Sequence, residues 1–151
     1  MARKYLKMVF PQLPPSSNNI YIKGSILKAP ARKYAEDFAK FAAQNHLHEI
    51  SQMNADGVFA LHLRFFFDTV VNETWNNPNV KESKRAKSRY KRFDLSNRIK
   101  LLEDCIRDAL DIDDCQTFAA SQEKHQDPSN PRVEIEVEET SLSLFGVPES
   151  F

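Results

Sequence analysis

The clearest hydrophobic alternation in the chain runs from Val58 to Phe67. Phe59, Leu61, Leu63, Phe65 and Phe67 share one side of a period-two ladder, with His62 and Arg64 on the other. This predicts a strand with one buried face. Arg132 to Glu139 predicts another, with Val133, Ile135 and Val137 alternating with Glu134, Glu136 and Glu138. Tyr5 to Phe10 and Gln116 to Glu123 alternate more weakly and also predict strands, and Tyr21 and Ile22 begin a short extended segment. After Pro30 the period changes. Tyr34, Phe38, Phe41 and Ala42 recur at helical spacing, with Arg32, Lys33, Glu36, Asp37 and Lys40 between them, which predicts a helix ending before Asp56-Gly57. A second helix is predicted from Asp94, a natural N-cap, to about Asp111. Its stripe of Leu95, Ile99, Leu102, Ile106, Ala109 and Leu110 faces the core, and Asn97, Lys100, Asp104 and Asp108 line the opposite side.

Pro14-Pro15-Ser16-Ser17-Asn18-Asn19 and Asp127-Pro128-Ser129-Asn130-Pro131 are turn material. Residues 68–93 form a long polar loop of the kind that is either functional or mobile. The order β-α-β-loop-α-β-β predicts a single α+β domain over residues 1–151, one mixed sheet with two main helices packed on it. In the tail, residues 141–151, Leu142, Leu144 and Phe145 are candidates to pack on a partner subunit.

Composition narrows the class. A hydrophobic fraction of 41% over 151 residues suits one globular domain. No apolar run is long enough for a transmembrane helix, and the first ten residues mix charge into their apolar positions, unlike a signal peptide; a cytoplasmic location is expected, with no membrane partner. Cys105 and Cys115 lack metal or redox spacing and read as small core residues. His46 and His48 read as surface histidines. With three glycines and no glycine-rich motif, a phosphate cradle for a small-molecule cofactor is not expected.

Net charge is zero, yet the charges are segregated. Lys84, Arg85, Lys87, Arg89, Lys91 and Arg92 crowd the long loop and acids dominate from Glu103 onward. The basic run, with Arg98 just beyond it, offers a phosphate-binding surface, and Trp75 and Tyr90 could stack on unpaired bases. Asp94, Asp104, Asp113 and Asp114 are candidate ligands for a hard divalent cation, provided the two ends of the helix converge, and Lys100 is a candidate for neutralising charge on a phosphodiester. Each piece has a plainer reading as a solvated charge run or helix face.

The pieces together are more specific. Asp94-Leu95-Ser96-Asn97-Arg98-Ile99-Lys100, with Asp104 and then Asp113-Asp114, resembles the D-x-D-N-x-x-K…D…D-D pattern of the RusA family of Holliday junction resolvases. Pro14-Pro15-Ser16-Ser17-Asn18 resembles the family's P-P-S-x-N signature, and Tyr34 falls where a tyrosine often opens the first helix. The resemblance covers about Tyr5 to Glu139. It implies a homodimer that nicks four-way branched DNA in pairs with Mg²⁺, or Mn²⁺ in its place. By position, Asp94 and Asp114 are implied as metal ligands and Lys100 as the catalytic lysine. Ser96 stands where the family usually has a second aspartate, a gap that Asp113 or Asp104 would fill, with Asp113 expected. Three further readings stay open: a less selective flap or branched-DNA nuclease, a junction-binding protein with weakened catalysis, and a small phosphate-binding module.

Overall fold

The computed structural model describes residues 4–16, 20–22, 26–93 and 95–148. Four strands, β1 (Tyr5–Phe10), β4 (Val58–Phe67), β5 (Thr117–Gln126) and β6 (Arg132–Thr140), form one mixed sheet in the order β1-β6-β4-β5. β6 runs antiparallel to both β1 and β4, whereas β5 runs parallel to β4. A small hairpin of β2 (Tyr21–Ile22) and β3 (Ile26–Leu27) stands apart. The helices are α1 (Ala29–Asn45), the short α2 (Leu47–Ser51) and α3 (Ser96–Leu110).

One face of the sheet makes the core. Leu6, Met8 and Phe10 of β1, the five odd-numbered residues from Phe59 to Phe67, and Val133, Ile135 and Val137 of β6 are buried with Tyr34 and Phe38 of α1 and with α3. The alternation of β4 and β6 thus reports burial directly. The other face is charged and braced: Arg64 bridges Glu123 and Glu136, and Arg132 pairs with Glu134 and Asp127 while lying over the Phe66 ring at 3.8 Å.

The α+β expectation holds, with local differences. The first helix begins at Ala29, with Pro30 in its first turn, where a missing N–H costs nothing. It breaks at His46 before α2. Cys105 is buried as expected, and Leu101 joins the core although the single-stripe reading left it out, because α3 packs on α1 as well as on the sheet. Cys115 is exposed, not a core residue. Leu142 to Phe145 form a 3₁₀ turn whose Phe145 ring meets Phe118 edge-on at 5.4 Å within the same chain. No helix among the described residues is long and apolar enough to cross a membrane.

Residues 68–93 carry no strand beyond an isolated bridge, Val71 to Tyr90, and a 3₁₀ turn at Glu82–Lys84. Backbone and side-chain hydrogen bonds nevertheless fold this arm back on itself. Lys91 N–H donates to Val70 O and Asn72 N–H to Arg89 O, while the Ala86 N–H finds Thr74 Oγ1 and Arg85 Nε finds Val80 O. Lys84, Lys87, Arg89 and Arg92 are left exposed; Arg85 and Lys91 are half-buried.

Candidate active site

α3 is the crossover between two parallel neighbours, β4 and β5, so its ends are fixed at opposite ends of β4. At the C-terminal end of β4, Phe93 stacks on Phe67 with centroids 4.1 Å apart and planes 6° from parallel. Arg98, in the first turn of α3, lies over both rings at 5.5 and 5.7 Å and donates to Pro14 O at 3.2 Å. Tyr34 Oη donates to Gln12 O at 3.1 Å. The proline-rich segment, the first helix and the start of α3 are therefore pinned together, and Arg98 is committed to that packing. Asp94, Ser17 and Asn18 lie outside the described residues.

At the N-terminal end of β4 the chain leaves α3 through Asp111, whose left-handed backbone (φ 57°) ends the helix in the place a glycine often takes. Asp113, Asp114, Cys115 and Gln116 then make a 3₁₀ turn with a reciprocal capping box: the Asp113 carboxylate accepts the Gln116 backbone N–H, and Gln116 Oε1 accepts the Asp113 N–H at 2.8 Å. Gln116 Nε2 donates to Ala55 O at 2.7 Å and Gly57 O at 2.9 Å.

Beside this turn a cavity of about 450 Å³ opens between the β2–β3 hairpin, α1 and α3. Asp104, Asp108, Asp113 and Asp114 line it, with Tyr21 and Arg107, over apolar Leu27, Ala35, Leu101 and Ile112. Asp104 is held by Arg107 at 2.6 Å, and Arg107 also reaches Glu103 at 3.1 Å. Lys100 Nζ sits over the Tyr21 ring, 4.7 Å from its centroid. The Tyr21 hydroxyl is buried and has no hydrogen-bond partner among the described residues.

The acids leave an electrostatic signature. Burial, then Asp108 and Asp104, push the Cys105 thiol up to about 12, so it stays neutral. Burial, then Asp104 and Cys105, raise the Tyr21 hydroxyl. Burial opposes the Arg107 charge, but its hydrogen bonds and Coulombic attraction to Asp104 and Glu103 outweigh that, and its pKa rises.

The cavity gathers Asp104, Asp113 and Asp114 from the sequence-derived ligand set and adds Asp108; Lys100 does not line it but sits over the ring of Tyr21, which does. The convergence expected across α3 turns on Asp94, which lies outside the described residues. The helix is about 22 Å long, and its two ends are tied to opposite ends of a strand about 33 Å long. Among the described residues, no three His, Cys, Asp or Glu side chains lie close enough together to hold a metal ion. The donor set is nonetheless all oxygen, as a hard cation requires. Gln116 was missed, although the Asp113-x-x-Gln116 spacing is a capping-box signal.

Residues 12–138 match the model of a protein family described as Endodeoxyribonuclease RusA. No curated protein matches the chain.

Proposed function

The chain belongs to the RusA endodeoxyribonuclease family, and from that membership we propose that it resolves four-way DNA junctions by paired, metal-dependent nicks as a homodimer. The observation that carries the reading is the cavity lined by Asp104, Asp108, Asp113 and Asp114, with Lys100 over the ring of Tyr21, another of its lining residues. A hard divalent cation bound there, Mg²⁺ or Mn²⁺, would act as a Lewis acid toward the scissile phosphate and lower the pKa of the attacking water.

The chain's own residues divide the remaining work. Asp114 is the foremost ligand, because its neighbour Asp113 spends carboxylate capacity on the capping box and Asp104 on Arg107. Lys100 is exposed and lies over a ring face, so its ammonium can swing to a phosphate and offset charge as the bond breaks. Lys84, Lys87, Arg89 and Arg92 offer their charges to the backbone of the arms. Trp75 and Tyr90, 43% and 58% exposed on the same segment, offer faces to unpaired bases.

Asp94 precedes α3 in sequence and lies outside the described residues. The proposed homodimer would allow Asp94 of one copy and Asp114 of the other to serve one ion. A two-fold pair then has two such sites, one per strand of a two-fold junction.

The deciding experiment offers a labelled four-way junction, a flap and a linear duplex to the protein in Mg²⁺, Mn²⁺ or EDTA. Paired nicks on the junction alone, lost in EDTA, are expected. Equal cutting of the flap would instead identify a broader branched-DNA nuclease. A second reading is favoured by Ser96 and by the prior commitments of Asp104 and Asp113: a junction-binding protein with weakened catalysis, recognised by tight binding without nicks in either metal.

A further inference from the structure

We propose that Gln116 is the positioning residue that sets the Asp113–Asp114 turn at the mouth of the acidic cavity. This rests on the reading of Asp114 as a metal ligand.

The amide of Gln116 is fully used. Its oxygen accepts the Asp113 N–H, and its nitrogen donates to two carbonyls, Ala55 O and Gly57 O. The carbonyls belong to a turn that is itself braced: Gly57 N–H donates to Asn54 O at 2.9 Å, and Asn54 N–H donates to Glu139 Oε1 at 2.5 Å. Glu139 lies on β6, so the load passes from the sheet through residues 54–57 and one side chain to the aspartates. The aspartates need such support. They follow a helix end, are both exposed, and carry adjacent like charges that favour splaying apart. An ion site tolerates displacements of only about 0.5 Å. A residue that fixes ligands without touching the ion acts on affinity and geometry, not on the chemical step itself.

The test is Gln116→Met, which keeps length and removes all three side-chain hydrogen bonds. Mn²⁺ binding to the protein alone is measured by calorimetry, and junction nicking is titrated with Mg²⁺. Mn²⁺ affinity is expected to fall by about tenfold, with half-maximal nicking at correspondingly higher Mg²⁺ and the rate recovering at saturation. Unchanged Mn²⁺ affinity would overturn the proposal, as would nicking reduced equally at every Mg²⁺ concentration. Should the variant not fold, the unsubstituted protein decides: Mn²⁺ should broaden the Gln116 side-chain amide resonances before those of the other glutamines, and sharp Gln116 signals with Mn²⁺ bound would refute the assignment. If the unsubstituted protein neither binds Mn²⁺ nor nicks, the nuclease reading falls and this one with it. If it does both and Gln116→Met binds Mn²⁺ equally well, only the positioning role falls.

Discussion

The two ends of β4 are built on different principles. Around Phe67, cationic groups are fixed through carbon: Phe93 stacks on Phe67, Arg98 lies across both rings and Lys124 covers Phe93 at 5.5 Å. Around Gly57, acids are fixed through hydrogen bonds to backbone, by a capping box and one amide. A guanidinium or ammonium on a ring loses little by sharing its partner, whereas a carboxylate must be placed against specific N–H groups. The chain has no net charge, yet its basic arm adjoins one end of the strand and its acidic cavity the other. The proposed phosphate grip and the proposed chemistry therefore fall in separate regions, and each can be broken alone.

Asp114→Asn should break the acidic end most severely. Nicking is expected to fall on the order of a hundredfold or more, past the effect of losing a supporting contact, while junction binding in EDTA persists. A parallel loss of binding would erase the division of labour. Equal mixing of Asp94→Asn and Asp114→Asn chains sharpens it. With shared sites, half the pairs are mixed and carry one intact site of two, restoring about one quarter of the nicking sites. No restoration would put both aspartates in one chain's site. At the basic end, replacing Lys84, Lys87 and Arg92 by alanine should flatten the log–log salt dependence of junction binding by about 2.7 if each neutralises one phosphate. Measured in equilibrium titrations, an unchanged slope would remove the arm from the interface. The smallest effect is expected from Arg98→Met, a stability loss of about 1–2 kcal/mol in chemical denaturation, with the salt slope unchanged. A reduced slope there would return Arg98 to the phosphate-contacting set.

Much of the frame was legible because it is periodic. The ladders of β4 and β6 and the apolar faces of the two main helices state their burial in their own spacing. The β2–β3 hairpin was not legible, since two-residue strands leave no period to read. Nor was the separation of the helix ends, which depends on β5 lying parallel to β4, a choice made by tertiary packing. Arg98 illustrates the same limit. In sequence it continues a basic run, but its surroundings come from Phe67 and Pro14, remote along the chain. The candidate aspartates were legible as residue types; which oxygens were already engaged required the fold.

The parallel pairing of β4 and β5 has a kinetic consequence. Everything the proposed activity needs from residues 68–116, arm, lysine and aspartates alike, lies inside a single loop that closes only when β5 docks beside β4. Closing so long a loop is entropically costly, and pairings distant in sequence form slowly. The final strand to join β4 from that side therefore acts as a clasp: until it docks, the acidic turn cannot hang from the Ala55 and Gly57 carbonyls just before β4, and a chain still being assembled lacks the finished proposed site.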